Sequence, residues 1–272
     1  MSAALLLVIE NSKTNLGAGK AWKNQEYTKP GGEPLEEEAI ECVKSWRKYY
    51  TDMNIYCICP TKRTPERKTI DQLKEYNVTY IERYFPETEK FTCGYWNVPL
   101  ACAWLESNLY ASELIHIDLD MKLIRPIPID SWVSSQYDIG SMISARVGAL
   151  PDEDRKDVHI YPDLLDHHES NLIISRADSY FYNDWLRELR MLEKIYTDPT
   201  WERYAELEEF AIDSMYKDNI IEPIKYYQVG PRYRAKDIPD DKLDQIYFIH
   251  RHPYESNEEY GKYLKRYLKW KK

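Results

Sequence analysis

The run Leu5-Leu6-Leu7-Val8-Ile9 restricts the fold more than any other feature of the chain. A strand with one face in water alternates apolar and polar side chains. An unbroken apolar run of strand length therefore needs cover on both faces, as in a parallel sheet between layers of helix. Glu10 closes the run and no basic residue precedes it, so it is too short for a membrane span and lacks the charge pattern of a signal peptide. The residues behind it supply the cover. Pro34 with Glu36, Glu37 and Glu38 opens a helix toward Tyr50, the proline and carboxylates suiting the free amides and the dipole of a first turn. Ile55 to Cys59 reads as a strand, Thr69 to Tyr76 as helix, Val78 to Ile81 as strand, Asn97 to Leu109 as helix and Glu113 to Asp118 as strand. Strand and helix in strict alternation imply an α/β fold, mainly parallel, with helices on both faces.

The second half changes character. Ile139 to Val147, Leu172 to Ser175 and Gln245 to His250 read as strands, Phe181 to Tyr196 and Trp201 to Tyr216 as long helices. No linker rich in Gly, Ser or Pro divides the 272 residues. The expectation is one domain over 1–272, its nucleotide-binding half (1–125) fused to a mixed half (126–272), with the cleft at the carboxyl ends of the early strands. A net charge of −9 argues against nucleic acid as the principal partner. Tyrosine, at 24 residues, is compatible with a wet cleft that takes flat polar ligands, and equally with cores and interfaces. The five cysteines are odd in number and fall in strand-like or helix-like stretches, which fits a reducing, cytoplasmic setting. The triplet Asn77-Val78-Thr79 falls in a strand and is incidental as a glycosylation signal.

The words that carry chemistry are His116-Ile117-Asp118-Leu119-Asp120, an apolar strand ending in two aspartates one residue apart. A turn at Leu119 would converge both carboxylates on one cation, and oxygen ligands of this kind suit Mg²⁺ or Mn²⁺. The spacing alone says little, because Asp152-Glu153-Asp154 repeats it in a charged loop. Position separates the two: only Asp118 and Asp120 follow a buried strand.

With these residues in place the chain resembles the GT-A glycosyltransferases and their Asp-x-Asp motif. The resemblance rests on Leu5 to Glu10, the alternating units behind it, the helix Val98 to Asn108, and Leu114 to Asp120 followed by Arg125-Pro126. It implies a nucleotide-diphosphate sugar donor, UDP favoured over GDP, with Mn²⁺ or Mg²⁺. It also implies transfer to a hydroxyl of a glycan or glycoconjugate. Carried over by position, Val8, Ile9 and Glu10 would hold the base, with Asn97 among the nucleotide contacts. Asp118 would meet ribose and metal, and Asp120 would be the main metal ligand. A late histidine often completes such a site. His250 is preferred over His252 because a strand ends there, although no glycine-containing loop accompanies it. Arg251 suits diphosphate oxygens, or stands on the surface without a ligand. Asp178, Ser179 and Tyr180, between a strand and a helix, occupy a place where such enzymes contact acceptor, or else cap the helix.

Glu208 falls in the middle of an apolar helical arc formed by Trp201, Tyr204, Ala211, Ile212 and Met215. A carboxylate there is either paired, for example with Arg187 or Arg232, or borders a cavity. In a transferase it would be a general base, and Glu208-Glu209 resembles the acidic motif of inverting GT-A enzymes. Asp163 to Glu169 gathers acids and histidines on what reads as a short helix, a weak metal site. Gly17 to Lys20 lacks the first glycine and the Ser/Thr of a phosphate loop. Tyr260, Tyr263, Leu264, Tyr267 and Leu268 repeat at helical spacing among lysines, either packed on the domain or resting on an anionic membrane. The rival functions are a sugar nucleotidyltransferase and a non-catalytic sugar-binding or scaffold protein.

Overall fold

Leu5, Leu7 and Ile9 enter one buried cluster while Ala4 and Leu6 enter another, so the first strand, β1 (Ala4–Val8), is covered on both faces. The computed structural model describes residues 3–10, 35–89, 96–129, 139–144, 167–195, 211–212, 215, 228–229 and 246–250. β1 pairs in parallel with β2 (Asn54–Cys59) on one side and β4 (Glu113–Ile117) on the other, and β2 pairs in parallel with β3 (Val78–Glu82). Helices α1 (Leu35–Arg47) and α2 (Arg67–Glu75) bury Ala39, Val43, Trp46 and Leu73 against one face. Helices α3 (Asn97–Asn108) and α4 (Phe181–Ile195) bury Leu100, Leu105, Trp185 and Leu189 against the other. The alternation expected from the first half is present, with boundaries displaced by at most three residues.

Two antiparallel strands complete the main sheet: β7 (His167–Arg176) on β4, then β6 (Ile139–Ser144) on β7, giving the order β3-β2-β1-β4-β7-β6. Both halves of the chain thus share one sheet. β7 begins at His167, and the stretch His167 to Glu169, expected in a short helix, pairs as strand with Ser144 to Met142. Its polar residues carry no apolar period, so pairing decided what pattern could not. A second sheet places β5 (Met121–Leu123) beside β9 (Phe248–His250) and β8 (Gln228–Val229). Residues Ala211, Ile212 and Met215, from the arc that contains Glu208, pack in or against the cluster under α3 and α4. No helix among the described residues is long and apolar enough to cross a membrane.

The residues at and just beyond the end of α1 clasp the chain that follows the aspartates. Ser45 Oγ accepts a hydrogen bond from Leu123 N (2.9 Å), and the Tyr49 hydroxyl donates to Ile124 O. The Tyr50 hydroxyl donates to Ile127 O (3.0 Å) and accepts from Ile127 N (2.8 Å). On the other face, the buried Glu106 carboxylate caps α4: Tyr182 N donates to Oε1 at 3.2 Å, and Asn183 N and Nδ2 donate to Oε2 at 2.9 and 2.7 Å. Burial pushes the Glu106 carboxyl up, and these donors oppose it. Glu106→Ala leaves first-turn amides of α4 without their acceptor, and a urea melt should show a loss of about 2 kcal/mol.

Candidate active site

Strand order reverses between β1 and β4, the place where an open α/β sheet leaves a crevice at its carboxyl edge. β4 ends at Ile117. Asp118 N donates to Asn171 O (3.0 Å), and Met121 N donates back to Asp118 O (3.2 Å), closing a turn over Leu119 and Asp120. Leu119 packs on the core, and the turn leads directly into β5. β9 lies antiparallel to β5 with His250 opposite Met121, which carries a histidine from late in the chain to the aspartate turn. One ligand atom each from Asp118, Asp120 and His250 lie within 4.8 Å of one another. His250 Nε2 is 3.3 Å from Asp120 Oδ1. The Asp118 side chain is 41% exposed against 12% for Asp120 and 9% for His250, so the latter two are buried and Asp118 is the most solvent-accessible of the three.

Two carboxylate groups and one imidazole are a donor set that fits Mn²⁺ or Mg²⁺. Neighbouring carboxylates repel unless a positive charge stands between them. The lysine that follows the turn reaches a further carboxylate: Lys122 Nζ lies 3.9 Å from the fully buried Glu38.

At the end of β1, Val8 is half-buried, Ile9 is buried, and Glu10 is 6% exposed. Among the described residues, the hydrogen bonds to the Glu10 carboxylate fall on Oε2, from Thr61 Oγ1 (3.3 Å) and from Arg63 Nε (2.9 Å) and Nη2. Burial pushes this carboxyl up, and the Arg63 guanidinium opposes it. Nothing in the spacing of the sequence singles out Thr61 or Arg63. Asn97, 5% exposed, is the first residue of α3. Because α3 returns the chain from β3 to the parallel strand β4, its first residue stands at the same carboxyl edge.

Asp178, Ser179 and Tyr180 are not brought to this edge. β7 runs antiparallel to β4 with Arg176 opposite Glu113, and Ala177 N donates to Ser112 O (2.9 Å). The segment therefore follows the amino edge of the parallel strands, the far end from Asp118. There Asp178 pairs with Arg176 (2.7 Å), Ser179 Oγ donates to Arg176 O (2.6 Å), and Tyr180 adopts φ 55° before α4. The acceptor contact expected of them is thereby corrected: the direction of one strand, which no residue pattern reveals, sends them away. Glu208, Arg251, His252, the Gly17 to Lys20 loop, Asp163 to Asp166 and the basic C-terminal stretch lie outside the described residues. A residue missed by sequence reading is His116, buried at 1% exposure with Nε2 3.7 Å from Asp118 Oδ1.

No family model matches the sequence, and no curated protein matches it. Solved structures do. An active-site mutant of LgtC matches with a TM-score of 0.56 at 10% identity, over 98% of this chain and 96% of that one. The galactosyltransferase LgtC in complex with donor and acceptor sugar analogues matches at 0.51 and 10%, over 99% and 95%. The apo glycosyltransferase GlyE of Streptococcus pneumoniae TIGR4 matches at 0.51 and 12%, with 94% of this chain covering 55% of that one. Together with the order of strands and the aspartate turn at the crevice, these likenesses show that the chain has the GT-A glycosyltransferase fold.

Proposed function

We propose that this protein is a cation-dependent glycosyltransferase that moves a sugar from a nucleotide-diphosphate donor to a hydroxyl of a glycan or glycoconjugate. The observation that carries the reading is the convergence of Asp118, Asp120 and His250 at the switch point of the sheet. Asp118, Asp120 and His250 would hold Mn²⁺ or Mg²⁺. A cation bound there offsets the charge that builds on a departing diphosphate. Val8, Ile9 and Glu10 receive the base at the end of β1, with Asn97 at the same edge. Glu10 is pre-set for this by Arg63 and Thr61, which bond to Oε2 and, among the described residues, leave Oε1 to accept from the N–H of a base. Arg251, next to His250, pairs with the diphosphate.

Glu208 is the proposed base, on the strength of its place in an apolar arc whose members Ala211 and Ile212 are buried. NMR of the product's anomeric proton tests this. An inverted product whose formation fails in Glu208→Gln, with donor binding unchanged, supports the role, and a retained configuration removes it.

Titration calorimetry with UDP and with GDP, each with and without Mn²⁺, tests the whole reading. UDP binding that needs Mn²⁺ is the expected result. Absence of binding by either nucleotide under every condition overturns the transferase and leaves a non-catalytic sugar-binding protein.

A further inference from the structure

His116 is the next-to-last residue of β4, opposite Leu6 of β1 and Ile173 of β7, both fully buried. It is 1% exposed, and neither ring nitrogen has a hydrogen-bond partner among the described residues. A polar ring in such a place costs stability unless it is bonded in some state of the protein. The Asp118 carboxylate lies close by. Successive strand residues alternate faces, so His116 and Asp118 emerge on the same side, and Nε2 stands 3.7 Å from Asp118 Oδ1. That separation is too long for a hydrogen bond and short enough to close with a small turn of an exposed carboxylate.

We infer that His116 is a positioning residue: its Nε2–H donates to Asp118 once a cation draws that carboxylate into place. One Asp118 oxygen then serves the cation and the other is held from below by the imidazole. The ring is buried and cannot follow solvent, so it sets one orientation for the most exposed of the three ligands, as partners behind metal ligands do. The inference rests on the reading that Asp118, Asp120 and His250 bind a cation.

The test compares His116→Gln, His116→Asn and His116→Leu in Mn²⁺ titrations followed by electron paramagnetic resonance, with thermal melts of the cation-free proteins alongside. A glutamine amide places its N–H near the position of Nε2, whereas an asparagine amide places it near Nδ1. H116Q should keep affinity close to native, and H116N and H116L should lose about 10- to 100-fold. H116L should also melt at or above the native temperature without cation, since it removes an unbonded buried ring. Equal Mn²⁺ affinity in all three variants, or equal loss in all three, overturns the role of Nε2. Should the variants not fold, ¹⁵N-histidine spectra of the native protein decide: a His116 Nε2–H signal that shifts downfield and gains protection on adding Mg²⁺ supports the bond, and an unchanged signal overturns it. Failure of the native protein to bind Mn²⁺ is a different result and sinks the cation site itself.

Discussion

Asp120→Asn should abolish cation-dependent nucleotide binding while leaving the protein folded. The residue is close to fully buried, at 9% exposure, and its carboxylate sits 3.3 Å from His250 Nε2, so it cannot be replaced by water without rebuilding the site. Asparagine keeps the volume and a carbonyl oxygen but withdraws the charge. Loss of a partner behind the ligands costs about 10- to 100-fold in affinity, and loss of a charged ligand should exceed this, with Mn²⁺ affinity down by about 100-fold or more. Stability moves differently. Without cation, Asp118 and Asp120 repel, so the neutral variant should melt no lower than the native protein. Added Mn²⁺ should raise the melting temperature of the native protein, because a ligand that binds only the folded state stabilises it, and this rise should vanish in the variant. A variant that binds Mn²⁺ and UDP as the native protein does would show that the site lies elsewhere.

The second large effect is on stability and reaches the site through the fold. Phe248 is fully buried in β9, two residues before His250, with its ring centroid 6.2 Å from that of Trp46 on α1. Phe248→Ala opens a cavity between these elements and should cost about 3–5 kcal/mol in urea melts. β9 is only three residues long and holds His250 opposite Met121, so its loosening should also weaken Mn²⁺ binding. Leu189→Ala, equally buried in the cluster on the opposite face, should cost about 2–5 kcal/mol and leave the Mn²⁺ affinity unchanged when both are measured well below their melting temperatures. Equal affinity in the two variants would show that His250 is not held through β9.

The elements around β1 were legible because each declares itself locally. The apolar run from Leu5 demanded cover on two faces, the acidic first turn after Pro34 marked the start of α1, and the paired aspartates stood at the end of a run already readable as β4. Period and end-signals are properties of a few neighbouring residues, so they survive without tertiary context. β5 escaped notice because three residues are too few to show a period, and the start of β7 because its residues are polar.

The candidate site divides along the same line. Asp118 and Asp120 were nominated by their place at a strand end, and the choice of His250 over His252 followed from expecting a strand to stop there. Their meeting is a property of the β5 and β9 pairing, which joins segments far apart in the chain through backbone hydrogen bonds that carry no side-chain signature. The same is true of Arg63 reaching Glu10, of His116 being buried, and of β7 running antiparallel and carrying Asp178 to Tyr180 to the other end of the sheet. The sequence by itself determined which residues are fit to bind a cation and which strands must be buried, because composition and period act over short distances. Which of those residues meet was decided only by tertiary structure, because strand direction and register are set by the packing of the whole sheet.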